Sequence, residues 1–496
     1  MYIVILNPQG NFDASDSYWT EHPDFGGQLV YVKELAHALI NKGHEVDIIT
    51  RQIKDPEWPE FSEKEEVYPG TKLRIIRIPF GGYKFLRKER LWSHIPEYAE
   101  GIIRFFISEN KWPDFITTHY GDGGITGVML KEATGIPFSF TAHSLGAQKL
   151  DKMNILHNEF EDMNSQYAFA TRIKAERLTM QKASIKFVST SQEKLNQYRH
   201  ALYNDIFEKE DSGFFIAPPG VNQKLFYFEE QDFEKLQVVK RRDLEENRIN
   251  KPMIIASSRL DPKKNVIGLV NAYANSSELQ EKSNLLLAVR GSKNPYQDIA
   301  GLKEEEKSEM KKILAMIRCN NLKGKIAFIQ LNSQKELASC YRALASHNGV
   351  FSLTSLYEPF GLATIEAMAC GLPVVVTSNG GGQEILTEDF ETFGLLADPE
   401  NPVKIAEKLL ILLKQPEKWN YFHQQGLKRV KERYTWQATA KTYEAAISEV
   451  LASNNKSKSI LDKKPDFSQY QSWLTNPTRE MIDFIKSNIA GKEGKD

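Results

Sequence analysis

The sequence predicts an α/β protein built from two parallel sheets, one in each half of the chain. Three observations carry this. Short β-branched runs alternate with amphipathic helical patterns along most of the 496 residues, as repeated βαβ units require. A rigid turn, Ala217-Pro218-Pro219-Gly220-Val221-Asn222, interrupts the alternation midway, as a joint between domains does. The chain is also long for a single hydrophobic core.

In order, strands are expected at 3–6, 46–50, 73–78, 115–119, 138–141 and 185–189. Between them, a helix over 28–42 closes at Gly43, and a long helical pattern covers 159–182. The second half repeats the scheme, with strands at 253–257, 285–289, 326–329, 350–353 and 374–377. The expected domains are 1–217 plus 465–496, and 218–464. The polar stretch 453–464 reads as a linker. The tail 467–489 carries Phe467, Tyr470, Trp473 and Phe484, which need a surface to pack on. Two open parallel sheets facing across a cleft would bind ligands at the carboxyl ends of their strands.

Composition narrows the function classes. The chain is 41% hydrophobic and 26% charged, ordinary values for a globular protein. Its 64 Lys and Arg nearly balance 65 Asp and Glu, so no overall field favours nucleic acid or a membrane surface. Any anion site must be local. Cys319, Cys340 and Cys370 are too few for a disulfide framework or a zinc site, and each falls in a helical pattern as a small buried side chain. The chain opens on a strand rather than a signal-peptide pattern, and no apolar run approaches a membrane span. A cytoplasmic protein is expected.

The chemistry candidates fall at strand ends. Glu358-Pro359-Phe360-Gly361-Leu362-Ala363-Thr364-Ile365-Glu366 links the 350–353 strand to a helix over 363–370. One carboxylate lies in the loop, and the other is expected in the first helical turn. Carboxylates accept bonds from sugar hydroxyls, while helix N-terminal N–H groups face a diphosphate. A solvated loop glutamate plus a helix-dipole glutamate would account for the same residues. Gly26-Gly27-Gln28 opens the first helix and permits close backbone approach to an anion or sugar, or is simply a tight turn. His143-Ser144 follows the 138–141 strand. Arg259 and Lys264 follow the first strand of the second half and suit a departing diphosphate, or a solvated basic loop. Gly380-Gly381-Gly382 makes another glycine turn into a helix. There is no D-x-D, H-E-x-x-H or Cys/His cluster, so no metal is expected.

Together these residues resemble the retaining glycosyltransferases of family 4, which have the GT-B fold of two Rossmann-like domains. The first-half motifs most resemble the bacterial sucrose-phosphate synthases. They are Asn7-Pro8-Gln9-Gly10-Asn11-Phe12, His22-Pro23-Asp24-Phe25-Gly26-Gly27-Gln28-Leu29-Val30-Tyr31-Val32, Thr117-Thr118-His119-Tyr120-Gly121-Asp122-Gly123-Gly124 and His143-Ser144-Leu145-Gly146-Ala147-Gln148-Lys149. In the second half, Ser355 to Ala363 carries the match.

The resemblance implies transfer of a hexosyl group, with UDP-glucose favoured as donor and fructose 6-phosphate as acceptor, to give sucrose 6-phosphate. On the donor side it assigns Arg259 and Lys264 to the diphosphate, and Glu366 to the ribose. Glu358 with Phe360, Gly361 and Leu362 would hold the sugar and phosphate, and Leu331 and Asn332 would read the base. Gly26 and Gly27 belong with them. His143 would lie near the sugar's primary hydroxyl, and His143, Arg259, Lys264 and Glu358 form the catalytic set. Gly26, Gln28, Lys88, Tyr120, Ser144, Lys149 and Arg172 would hold the acceptor, although Arg172 could equally pair with Glu176 one turn on. The resemblance implies no cofactor. It implies nucleotide-sugar and sugar-phosphate partners, with a separate phosphatase acting on the product. A GDP-mannose-dependent mannosylfructose-phosphate synthase, a sucrose synthase and a non-catalytic sugar-phosphate sensor share parts of this pattern.

Overall fold

A computed structural model describes residues 1–17, 25–208, 212–453 and 465–493. Apart from Ser453, the expected linker lies outside the described residues, as does His22-Pro23-Asp24. The chain forms two units, Met1–Pro218 with Thr439–Asp496, and Pro219–Ala438. The return to the first unit comes at Thr439, earlier than the expected 465, because helix Trp436–Ser453 seats Tyr443 there. That ring stacks on Phe187 at 3.6 Å, and its hydroxyl lies 2.8 Å from Thr141 Oγ1 and 3.3 Å from the Tyr31 hydroxyl.

The first unit is an eight-stranded sheet ordered β3-β4-β2-β1-β5-β6-β7-β8. The strands are β1 (Tyr2–Leu6), β2 (Glu45–Arg51), β3 (Glu65–Val67), β4 (Arg74–Ile78), β5 (Phe115–His119), β6 (Phe138–Thr141), β7 (Ile185–Val188) and β8 (Phe214–Ile216). Only β3 pairs antiparallel, at the edge. β1 is buried along its whole length and pairs in register with both neighbours, Ile3 facing Val46 and Phe115. A continuous apolar run suits a strand covered on both faces. The order of strands reverses between β1 and β5, which makes their carboxyl ends the natural ligand crevice.

Six helices of this unit matter below: α1 (Gly27–Asn41), α2 (Ile95–Ser108), α3 (Tyr120–Thr134), α4 (Gly146–Lys152), α5 (Phe160–Tyr167) and α6 (Phe169–Lys182). The single helix expected over 159–182 is therefore broken. Ala168 turns left-handed at φ 54°, and Asn164 Oδ1 accepts the Ala170 N–H at 2.7 Å to restart it. The tail packs here as its aromatics require. In Ser468–Thr475, the Tyr470 hydroxyl donates to Glu132 at 2.6 Å and Trp473 lies under Lys174. In the last helix, Phe484 lies under Arg177.

The second unit repeats the logic with six strands ordered β11-β10-β9-β12-β13-β16. They are β9 (Met253–Ala256), β10 (Asn284–Ala288), β11 (Ile326–Ile329), β12 (Val350–Leu353), β13 (Val374–Thr377) and β16 (Leu395–Ala397), with a small hairpin of β14 (Thr387–Glu388) and β15 (Glu391–Thr392) before the last. Here the order reverses between β9 and β12. Two sequence expectations change. Cys319 is exposed while Cys340 and Cys370 are buried. Glu366 stands in the second turn of helix Leu362–Ala369, not the first, because the helix begins at Leu362, directly after Gly361 and one residue earlier than expected.

Candidate active site

In the second unit the reversal point gathers the predicted cations and carboxylates. Ser257 to Asn265 leaves β9, and Thr354 to Gly361 leaves β12. Asp261 caps the short turn Pro262–Lys264, its carboxylate accepting from the Lys263 N–H at 2.8 Å. This fixes Lys264, whose Nζ reaches Glu358 Oε2 at 2.6 Å. The Ser355 hydroxyl donates to the same oxygen at 3.2 Å. Arg259 is exposed, and its guanidinium makes no hydrogen bond or ion pair among the described residues.

The glutamate loop rests on the triple-glycine turn. Glu358 N–H donates to Asn379 O at 3.0 Å, and Gly381 N–H donates to Glu358 O at 2.8 Å. A Cβ on Gly380, where φ is +107°, would sit 2.0 Å from that carbonyl oxygen, so only glycine lets the strands meet. Gly361 takes the same φ of 107° to turn the chain into helix Leu362–Ala369. Phe360 is buried against Tyr434, while Leu362 is exposed. Glu366 is part-buried, with no side-chain hydrogen bond among the described residues, and burial pushes its carboxyl up to about 8. Leu331 is buried after β11, and the Asn332 N–H is already given to Glu336 at 2.7 Å.

In the first unit, Gly26 is the N-cap of α1 and Gly27 its first residue. A Cβ on either would meet nothing within 4 Å. Packing among the described residues therefore does not explain these glycines. Gln28 bridges Asn7 and Gln9, at 3.3 Å to each. Tyr120, at φ 66°, opens α3 under the Arg172 guanidinium, 4.3 Å from its ring centre. Lys88, in the turn Lys88–Arg90, acts electrostatically on both Tyr120 and Asp122. Asp122 is buried, and its carboxyl is pushed up to about 7.

Arg172 is spoken for on two sides. Its Nε donates to Glu176 at 2.8 Å, and Nη2 donates to the Ser144 carbonyl and hydroxyl at 2.7 and 3.1 Å. The i,i+4 partner legible in the sequence is thus its main anchor. Nη1 makes no bond among the described residues. Lys149 is 3.8 Å from Glu89 and 4.1 Å from the centre of the Tyr167 ring. His143, at φ 56°, stacks on His119 with Nε2 2.8 Å from His119 Nδ1.

Comparison with known proteins now decides the family. Residues 26–199 match the profile described as glycosyl transferase 4-like domain, and residues 239–429 match glycosyl transferases group 1. A probable sucrose-phosphate synthase of Thermosipho melanesiensis is 46% identical over 444 residues, covering 89% of this chain and 95% of that protein. The chain is a glycosyltransferase of the sucrose-phosphate synthase family. A probable sucrose-phosphate synthase of Solanum tuberosum is 32% identical over 90% of this chain, which spans only 47% of the plant protein. Among solved structures, a sucrose-phosphate synthase of Thermosynechococcus elongatus superposes with a TM-score of 0.63 at 24% identity, covering 92% of this chain and all of that one. The catalytic domain of Arabidopsis thaliana starch synthase IV gives 0.59 at 14% identity over 91% of this chain and 99% of that one. The glycosyltransferase has the GT-B fold.

Several residues of the glycosyltransferase that shape these clusters carry no motif signal of their own. Glu176 is fully buried and accepts from Arg172, from the Gly146 N–H at 3.1 and 3.0 Å, and from the Tyr203 hydroxyl. Only its spacing from Arg172 hints at it. Replacing Glu176 by Ala strands a buried guanidinium, and should cost about 3–5 kcal/mol of stability. Tyr203→Phe, which removes one bond to a charged group, should cost about 1.5–3 kcal/mol. Denaturant unfolding of both variants checks the order.

Proposed function

We propose that this glycosyltransferase moves a glucosyl group from UDP-glucose to fructose 6-phosphate with retention, yielding sucrose 6-phosphate. The observation that carries the acceptor assignment is the cluster of Arg172, Lys88 and Tyr120 at the end of β5, with Ser144 held by the same guanidinium. It supports a doubly charged phosphate monoester. The resemblance across nearly the whole Thermosipho relative supports the same reading. The test is a matrix of initial rates, crossing UDP-, ADP- and GDP-glucose and GDP-mannose with fructose and fructose 6-phosphate, the product being identified by mass and NMR. Turnover only with GDP-mannose would replace glucose by mannose. Binding without turnover would make the chain a sensor.

In this reading, Arg259, Lys264 and the N–H groups after Gly361 take the diphosphate, and Glu366 the ribose. The C1–phosphate bond breaks on the face from which the acceptor hydroxyl attacks, and the leaving phosphate oxygen takes the hydroxyl proton. Residues then act by alignment and charge stabilisation, with no covalent nucleophile. A cytoplasmic setting fits the three free thiols. Among the described residues, no helix is long and apolar enough to cross a membrane.

Glu366→Ala should raise the donor KM roughly tenfold or more, about 1.5–3 kcal/mol, with kcat nearly unchanged, because a ribose contact is equal in ground and transition states. Accepting two hydroxyls requires the carboxylate. Donor affinity should therefore rise as pH climbs towards about 8 and level off above it, and Glu366→Gln should flatten that rise. Calorimetric titration across pH checks both. Activity should persist in EDTA, since the cationic pair supplies the charge that a divalent ion supplies elsewhere. Loss restored only by a divalent ion would overturn this assignment.

A further inference from the structure

The best-defined polar chain outside the assigned contacts begins at Thr117. Thr117 and His119 lie two apart on β5, so their side chains share one face of the sheet. Both are fully buried. Thr117 Oγ1 lies 3.4 Å from His119 Nε2, and the hydroxyl has no other partner among the described residues. His119 Nδ1 lies 2.8 Å from His143 Nε2. Tyr31 lies against both rings and holds them in place, its centre 5.9 Å from His119 and 5.1 Å from His143.

Two directly bonded imidazoles offer two arrangements, and one is better satisfied. If His119 Nε2–H donated to Thr117, the hydroxyl proton would be buried with no acceptor, a costly orphan. If instead the Thr117 hydroxyl donates to Nε2, the hydroxyl proton and both nitrogens of the fully buried His119 are paired. His119 then carries its proton on Nδ1 and donates it to His143 Nε2. His143 in turn carries its proton on Nδ1, which makes no hydrogen bond among the described residues. Burial keeps both rings uncharged, His143 being pushed down to about 3 and His119 well below its ordinary value, so neither ring gains a second proton to blur this polarity.

We propose that Thr117 and His119 form a one-way hydrogen-bond relay that fixes the Nδ1–H tautomer of His143, so that His143 meets the donor sugar as an N–H donor. His119 and Thr117 are positioning residues. The contact of His143 with the sugar's primary hydroxyl is the one the family resemblance implies, and this last step rests on the glucosyl transfer read under Proposed function. The relay selects an oxygen acceptor at that place on the sugar and disfavours an ammonium or a substituent without a lone pair.

The test is ¹⁵N NMR of the histidine-labelled full chain, alongside kinetics with UDP-glucose and fructose 6-phosphate. His143 should show a protonated Nδ1 and an unprotonated Nε2. Thr117→Val keeps shape and β-branching but removes the hydroxyl. It should mix the His143 tautomers and lower kcat/KM about tenfold, and Thr117→Ser should restore both. A wild-type His143 protonated on Nε2, or an unchanged tautomer in Thr117→Val, overturns the relay. If His143→Ala keeps full activity while the tautomers are as expected, the relay's polarity stands and the substrate contact assigned to His143 falls.

Discussion

Lys264→Ala should lower kcat by roughly a hundred- to a thousandfold, the ~2.7–4 kcal/mol range found when one preorganised charge-stabilising donor is removed, while the donor KM changes little. Lys264 is held in one place, because Asp261 caps its turn and Glu358 holds its ammonium at 2.6 Å. Leaving-group charge appears only as the C1–phosphate bond breaks, so the lost interaction belongs to the transition state. The side chain is a quarter exposed, so the variant should fold. Initial rates at saturating acceptor separate the parameters. A loss carried by KM with kcat intact would make Lys264 a ground-state contact and sink its catalytic role.

Free fructose should be used at least a hundredfold less efficiently than fructose 6-phosphate. A phosphate monoester carries close to two negative charges at neutral pH, and each charge-assisted bond contributes about 1.5–3 kcal/mol. Losing two such bonds, at ~1.4 kcal/mol per tenfold, gives that factor. Arg172 is a poor residue with which to test the pocket, because its removal strands the buried Glu176 carboxylate. Lys88→Ala is cleaner, since Lys88 is only part-buried on a short turn. It should shrink the preference and leave donor affinity unchanged. Equal efficiency on both acceptors in the wild type would remove the phosphate pocket and favour a sucrose synthase activity.

How far the sequence could be read depends on the range of the forces involved. The strands read from the sequence lie within about a residue of those found, because alternation, left-handed turns such as Gly43 and prolines act locally, whereas the two- and three-residue strands β3, β8, β14, β15 and β16 are too short to show a period. The break at Ala168 was not, since an alanine carries no turn signal and only the capping Asn164 explains it. The site motifs were legible as residue types at strand ends.

Which strand ends lie side by side was decided by the tertiary structure. The neighbours β1–β5 and β9–β12 are far apart in sequence, and only their pairing sets Lys264 against Glu358 in one unit. In the other unit the same kind of long-range packing sets Arg172 over Tyr120. Burial was decided there too. Glu366 reads as an ordinary helix glutamate, yet burial of its side chain raises its carboxyl to about 8. Arg172 reads as a phosphate ligand or a helix pair, and the buried Glu176 makes it an anchored guanidinium with one edge left over. Residue types and local conformation are properties of neighbouring sequence. Desolvation, and the partner that offsets it, are properties of what the fold brings from elsewhere in the chain.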